Sequence, residues 1–229
     1  MNKNKIFSIA IDGPCGAGKS SVADDVARRL GILHLDTGAM YRAVGLYMLE
    51  NGIDIFNADE VRAHMDEVKI DIAFEDGVQK TYLCGRDVSS LIRSQEAGDA
   101  ASAVSKGAYV REKMVLKQRE IAAGMCILMD GRDAGTCILP DATLKIYLTA
   151  DVKERARRRY DERVRKGEAC VYDDVLKECI ERDYNDMNRK VSPLIQAEDA
   201  VVVDSTSMTQ EEVAQRIVAL LEERLEALA

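Results

Sequence analysis

The chain has 229 residues, 47% of them hydrophobic, enough to bury a sizeable core in one domain with room for an inserted subdomain. A formal net charge of −8 argues against a general nucleic-acid surface, so any anionic ligand must be met by local basic clusters. No stretch approaches the ~18 consecutive apolar residues of a membrane span, and the N-terminus has neither the apolar length nor the cleavage site of a signal peptide. The six cysteines, at 15, 84, 126, 137, 170 and 179, include no C-x-x-C pair. That is the pattern of reduced thiols and not of a disulfide framework or a zinc site, so a cytoplasmic location is expected.

In chain order, the first predicted element is a strand at 5–11 (KIFSIAI), followed by a glycine-rich turn and a helix at 19–30. A short strand at 33–36 leads into a helix at 38–50, stopped by Asn51-Gly52. Residues 68–74 (VKIDIAF) alternate apolar and polar, and Glu75-Asp76-Gly77 is a turn signal before a return strand at 78–84. This antiparallel patch interrupts a βα pattern. Helices follow at about 94–105 and 108–123. Three apolar runs, at 126–129, 144–149 and 200–204, fit buried parallel strands. Helices at about 152–166 and 173–189 lie between them, and a last helix at 209–228 opens with the capping box Thr209-x-x-Glu212. The alternation predicts an α/β fold with a doubly wound sheet of about five strands.

Gly13-Pro14-Cys15-Gly16-Ala17-Gly18-Lys19-Ser20 matches G-x-x-x-x-G-K-[ST] in full, with a strand before it and a helix after. Inward-pointing N–H groups of such a loop make a nest for phosphate oxygens, and the helix adds its positive N-terminal end. Lys19 is expected to reach the β- and γ-phosphates and Ser20 to give its hydroxyl to Mg²⁺. Cys15 either fills a permissive position or is a thiol acidified by Lys19 and the helix N-terminus. In the second case a thiol reagent inactivates the protein and MgATP protects it. The GTPase motifs N-K-x-D and D-x-x-G are absent from the chain, which leaves a small kinase.

The acceptor must be met by the rest of the sequence. Asp130 falls where a Walker-B carboxylate holds Mg²⁺, although Asp130-Gly131 also reads as a plain turn. Arg132 and Asp133 follow the same strand, at the strand end where α/β sheets bind ligands. Arg182, Asp186 and Arg189 share one helix face, as either a clamp or a solvated salt-bridged surface. Residues 153–166 carry eight basic and three acidic side chains. Alone they suit a solvated helix or a nucleic-acid patch; beside a phosphate loop a mobile lid fits better.

The whole chain resembles the bacterial cytidylate kinases, a branch of the nucleoside monophosphate kinases. Residues 12–21 (DGPCGAGKSS), 35–42 (LDTGAMYR), 130–136 (DGRDAGT), 181–194 (ERDYNDMNRKVSPL) and 203–206 (VDST) carry the likeness. Two positions differ: Ala134 stands where a bulkier apolar residue is usual, and Ser21 where Thr is common. The resemblance implies a P-loop kinase fold. Residues 1–37, 106–152 and 168–229 would form its core, 38–105 a monophosphate-binding domain with the small antiparallel sheet, and 153–167 the lid. It implies transfer from MgATP to CMP or dCMP, with Mg²⁺ as cofactor, in a monomer that binds neither nucleic acid nor membrane.

Residue by residue, the resemblance places Gly13, Pro14, Cys15, Gly16, Ala17, Gly18, Lys19, Ser20, Ser21, Arg157 and Asp204 at ATP. It places Arg42, Arg132 and Arg189 on the acceptor's 5′-phosphate, with Asp36, Thr37 and Tyr41 beside it. Ser102, Arg111 and Asp133 would read cytosine, and Arg182 and Asp186 would hold the sugar. A carboxylate at Asp133 can accept from the cytosine 4-amino group, a donor that uracil lacks. Lys19, Arg132, Arg158 and Arg189 are the expected catalytic cations, and Ser20 and Asp130 the expected Mg²⁺ ligands. Arg155, Arg157, Arg158 and Arg159 are the lid arginines. His34 and His64 receive no catalytic role. Two rivals remain: a kinase for another small acceptor such as shikimate, and an ATP-binding module without turnover.

Overall fold

The computed structural model describes residues 6–228. Five strands form one parallel sheet: β1 (Ser8–Asp12), β2 (Leu33–Asp36), β6 (Ile127–Gly131), β7 (Leu144–Thr149) and β8 (Val201–Asp204), in the order β2-β6-β1-β7-β8. The first strand starts later than its sequence pattern predicts, and Lys5 lies outside the described residues. Successive residues of β1 serve opposite faces, as the period of two requires. Ala10 packs with Leu35, Ile127 and Met129 beneath α2 (Thr37–Glu50), while Ile9 and Ile11 pack with Leu128, Ile146 and Leu148. That second face is covered by α1 (Lys19–Leu30) and α8 (Gln210–Ala227), whose Val22, Val26, Val213 and Ile217 complete its core.

The middle of the chain forms a separate antiparallel sheet of β3 (Ile70–Glu75), β4 (Val78–Leu83) and the two-residue β5 (Arg86–Asp87). Its hairpin turns at Asp76-Gly77, both in the left-handed region. A short helix, α3 (Ala58–His64), precedes it and was not expected. The Asn57 side chain caps it by accepting from the Glu60 N–H, a local signal that its single buried residue, Val61, leaves weak in the hydrophobic pattern. Helix α4 (Gln95–Val104) packs closely against α2, and α5 (Ala108–Ala122) leads back to the main sheet. After β6 the chain makes one wide π-helical turn at Ala134–Ile138.

Helices α6 (Val152–Arg165) and α7 (Tyr172–Asn188) pack on each other through Ala156, Val175 and Cys179. The capping box is present as predicted: Thr209 accepts from the Glu212 N–H, and the Glu212 carboxylate accepts from the Thr209 N–H at 2.8 Å. Among the described residues no helix is long and apolar enough to cross a membrane.

Candidate active site

The loop between β1 and α1 crosses the C-terminal end of the sheet. Gly16 and Gly18 sit at φ 74° and 85°, and Gly18 is the N-cap of α1. Both positions demand glycine by backbone conformation, and a Cβ on Gly16 would also come within 2.8 Å of the Arg155 carbonyl. Lys19 folds back to donate from Nζ to the Pro14 carbonyl at 2.8 Å. Burial, together with the charge of Arg132, pushes its ammonium down to about 7.

Strand β6 delivers the next group. Its Asp130 accepts from the Ser20 hydroxyl at 2.8 Å through one carboxylate oxygen and from His34 Nε2 at 2.7 Å through the other. The second ring nitrogen of His34 lies 2.6 Å from Asp24. Burial disfavours the imidazolium, but hydrogen bonds to Asp130 and Asp24 and their charges outweigh it and raise its pKa to about 10. The Thr37 hydroxyl donates to the Asp130 carbonyl at 2.7 Å. Asp36 caps α2 by accepting from the Ala39 N–H at 3.1 Å, so it orients the helix that carries Tyr41 and Arg42.

At the far end, Arg111 of α5 and Asp133 form an ion pair with both side chains almost fully buried. Asp133 also faces Arg189 at 3.6 Å. Arg132 donates from Nε to Asp186 at 2.7 Å, and Arg189 reaches the other oxygen of Asp186 at 3.5 Å. Asp186 thus joins Arg132 and Arg189 in a largely buried ion-pair cluster and not a solvated face, while Arg182 lines the same cleft. The Tyr41 hydroxyl, Arg111 Nε and Arg189 Nη2 are buried with no hydrogen-bond partner among the described residues. Tyr41, Arg111 and Arg189 all line the cleft, so these three groups are placed to bond a polar ligand.

All this lines one continuous cleft of about 1550 Å³. Its walls include Cys15, Gly16, Ala17, Gly18, Lys19, Ser20 and Ser21 at one end. They include Asp36, Thr37, Tyr41, Arg42, Ser102 and Arg111 at the other, with Asp130, Arg132, Asp133, Arg182, Asp186 and Arg189 between. Arg158 and Arg159 of α6 form part of the mouth. Gly13, Pro14, Arg157 and Asp204 are not in the lining. The Arg157 guanidinium lies 5.6 Å over the Tyr172 ring, and Asp204 is exposed and accepts from the Thr206 N–H. Arg158 donates to the Ser205 carbonyl at 2.6 Å.

The family that these residues resemble can now be tested on the whole chain. The cytidylate kinase family profile matches residues 9–223. The chain belongs to the cytidylate kinase family. Curated relatives named cytidylate kinase agree. The one from Caldicellulosiruptor bescii is 48% identical over 94% of this chain and 96% of its own length, and the one from Thermotoga neapolitana is 46% identical over 96% and 99%. A crystal structure of a gluconokinase from Sinorhizobium meliloti has a TM-score of 0.51 at 14% identity, covering 97% of this chain and 95% of its own. That likeness speaks for the kinase fold alone.

Several residues that support this cytidylate kinase cleft went unassigned from sequence. Asp12 accepts from the N–H groups of Ala134 and Gly135, both at 2.7 Å, and so fixes the turn that presents Arg132 and Asp133. Burial raises the Asp12 carboxyl to about 6 against those two hydrogen bonds. Asp183 accepts from the Cys15 N–H at 3.1 Å and pairs with Arg155 at 2.7 Å. Arg155 therefore braces the phosphate loop from beneath, donating also to the Cys15 carbonyl at 2.8 Å. Gln79 binds the backbone of Asp36, holding the small sheet over that end of the cleft. His34 supports Asp130. Each contact spans a long stretch of sequence, and only the DGP, ERD and LDTG contexts hinted at them.

Proposed function

We propose that the chain transfers the γ-phosphoryl group of MgATP to CMP or dCMP, giving ADP and CDP or dCDP. The observation that carries this reading is the single cleft. It has a phosphate loop at one end and, further along, Arg42, Arg132, Arg182 and Arg189 together with the buried Arg111–Asp133 pair. An acceptor of that description is itself an anion with a polar base.

On this reading Lys19 and the loop N–H groups bind the triphosphate, and Arg158 closes over it. Arg42, Arg132 and Arg189 neutralise and orient the acceptor phosphate, whose oxygen is already an adequate nucleophile, so catalysis is positioning and charge neutralisation. Arg182 and Asp186 hold the sugar, while Ser102, Arg111 and Asp133 read the base. The Ser20 hydroxyl and the Asp130 carboxylate, 2.8 Å apart, are hard oxygen donors suited to Mg²⁺, Asp130 through water. Mg²⁺ held there would supply charge neutralisation to the triphosphate. Residues 38–105 act as the monophosphate-binding domain and 153–167 as the lid.

The test is acceptor-stimulated ADP release with CMP, dCMP, UMP, AMP and shikimate. CMP and dCMP should be used best. Preference for shikimate or AMP overturns the acceptor assignment, and ATP binding without acceptor-stimulated release overturns the enzyme reading.

A further inference from the structure

Three elements far apart in sequence meet at the peptide groups on either side of Cys15. The Cys15 N–H donates to one carboxylate oxygen of Asp183 at 3.1 Å, and the Cys15 carbonyl accepts from Arg155 Nη1 at 2.8 Å. The same Arg155 nitrogen lies 2.7 Å from the other oxygen of Asp183. Arg155 Nε donates to the Ala150 carbonyl at 2.9 Å, which fixes the guanidinium from its other side. Both side chains are largely buried. One ion pair thus grips the phosphate loop at both polar groups of a single residue, and it does so through backbone atoms, whatever the side chain there.

Asp183 lies on α7, and the next turn of that helix serves the other half of the cleft. Asp186 accepts from Arg132 Nε at 2.7 Å, and Arg189 Nη1 reaches it at 3.5 Å. Residues three apart share a helix face, and they are separated by about 4.5 Å along the axis. One turn of α7 therefore stands between the carboxylate that anchors the phosphate loop and the carboxylate that anchors two cleft arginines.

We infer that Arg155 and Asp183 are positioning residues for phosphoryl transfer: their ion pair seats the phosphate loop on α7 at a fixed distance from Arg132 and Arg189. The inference rests on the proposed role of those arginines at the acceptor phosphate.

Neither Arg155 nor Asp183 lines the cleft, so both act through the loop and not on a ligand. Each ligand makes its contacts within its own half of the cleft, and each half can fill while the spacing between them is wrong. Transfer is less tolerant: the reacting atoms must come within about 3–3.5 Å, and a misplacement of about 1 Å costs on the order of a hundredfold in rate. Loss of the pair should therefore appear in the transfer step and spare binding. The joint also reaches the mouth of the cleft. The Arg155 backbone abuts Gly16, where a Cβ would come within 2.8 Å of its carbonyl, and the next turn of α6 carries Arg158 and Arg159.

The experiment compares the full chain with Asp183→Asn. An Asn oxygen can still accept from the Cys15 N–H, but its amide then turns a donor on Arg155, so one of the two grips is lost. Single-turnover ADP formation at saturating CMP should slow at least tenfold. Binding of a fluorescent ATP analogue, and of CMP by calorimetry, should stay within about threefold. In the ligand-free state, peptides covering residues 13–20 should exchange amide hydrogens several-fold faster, while those across β7 keep their rate. If this variant folds poorly, Arg155→Lys serves instead. It keeps the charge beside Asp183 but has one amine where the fork held three oxygens, and the same split is expected.

An unchanged transfer rate overturns the inference, as does a loss of rate matched by weaker binding of either ligand, or unchanged exchange in the loop. Should the unsubstituted chain favour another acceptor, the CMP reading fails. The same comparison run with that acceptor, beside the exchange measurement, then decides the joint.

Discussion

Arg111 and Asp133 tie the stability of the fold to the proposed reading of the base. Each is nearly fully buried and each is the other's ion-pair partner. Removing the Asp133 charge strands a buried guanidinium, at about 3 kcal/mol. An Asn there can also donate to the oxygen that uracil carries where cytosine has its amino group. Asp133→Asn should therefore lower the unfolding free energy and cut the CMP-over-UMP preference about tenfold or more. Denaturant melts and paired kcat/KM values check the two parts separately; an unchanged preference removes Asp133 from base reading. His34 gives a pH-dependent case. Its folded pKa of about 10 lies above the ordinary 6.5, so its stabilisation is complete below 6.5 and is lost as pH rises through 10. Asp24 is largely exposed, which discounts the effect to roughly 1–3 kcal/mol. Urea melts of the chain and of His34→Gln should differ most below pH 6.5 and converge toward pH 10. A constant difference would assign His34 to packing alone.

At the scale of elements, the contact between α2 and α4 sets the geometry of the proposed acceptor end, because α2 carries Arg42 and α4 carries Ser102. The helices approach closely at Gly45, where a Cβ would come within 2.7 Å of the Ala100 Cβ. Gly45→Ala should force them apart, costing about 1–3 kcal/mol and raising KM for CMP more than KM for ATP. Thermal melts with both KM values test this, and equal effects on the two substrates would contradict it. Apart from α3, the helices were legible in the sequence: their apolar spacing, the Thr209–Glu212 box and the 75–77 turn are local signals that tertiary structure did not override. The phosphate loop was legible because its chemistry imposes a fixed spacing within eight residues. Asp12, Asp183 and Gln79 were not, because each acts on a backbone 43 or more residues away. No periodicity reports such a partner. The same holds for Arg155, whose place among lid arginines hid a buried brace.

The molecule as a whole works by bringing two anions together inside an acidic chain, so cationic side chains must be positioned on both walls of the cleft. One contact crosses the mouth of the cleft. Gln95, the first residue of α4, accepts through its side-chain oxygen from Arg159 and Arg163 of α6, both at 2.9 Å. A neutral acceptor suits this place, since it joins two guanidinium groups without cancelling the charge that the phosphates need. Arg163 also pairs with Glu178 of α7, so the bridge is anchored to the helix that carries Arg182 and Asp186. Gln95 is half-buried, lines the cleft and lies outside the hydrophobic core clusters. Gln95→Ala should therefore leave the unfolding free energy within about 1 kcal/mol of the starting value. It should raise KM for both ATP and CMP several-fold, because binding either ligand must then close the mouth unaided. Steady-state kinetics with each substrate varied, beside a melt, decide it. A rise confined to one substrate would mark Gln95 as a contact of that substrate, and no rise in either would show that the bridge has no part in closure.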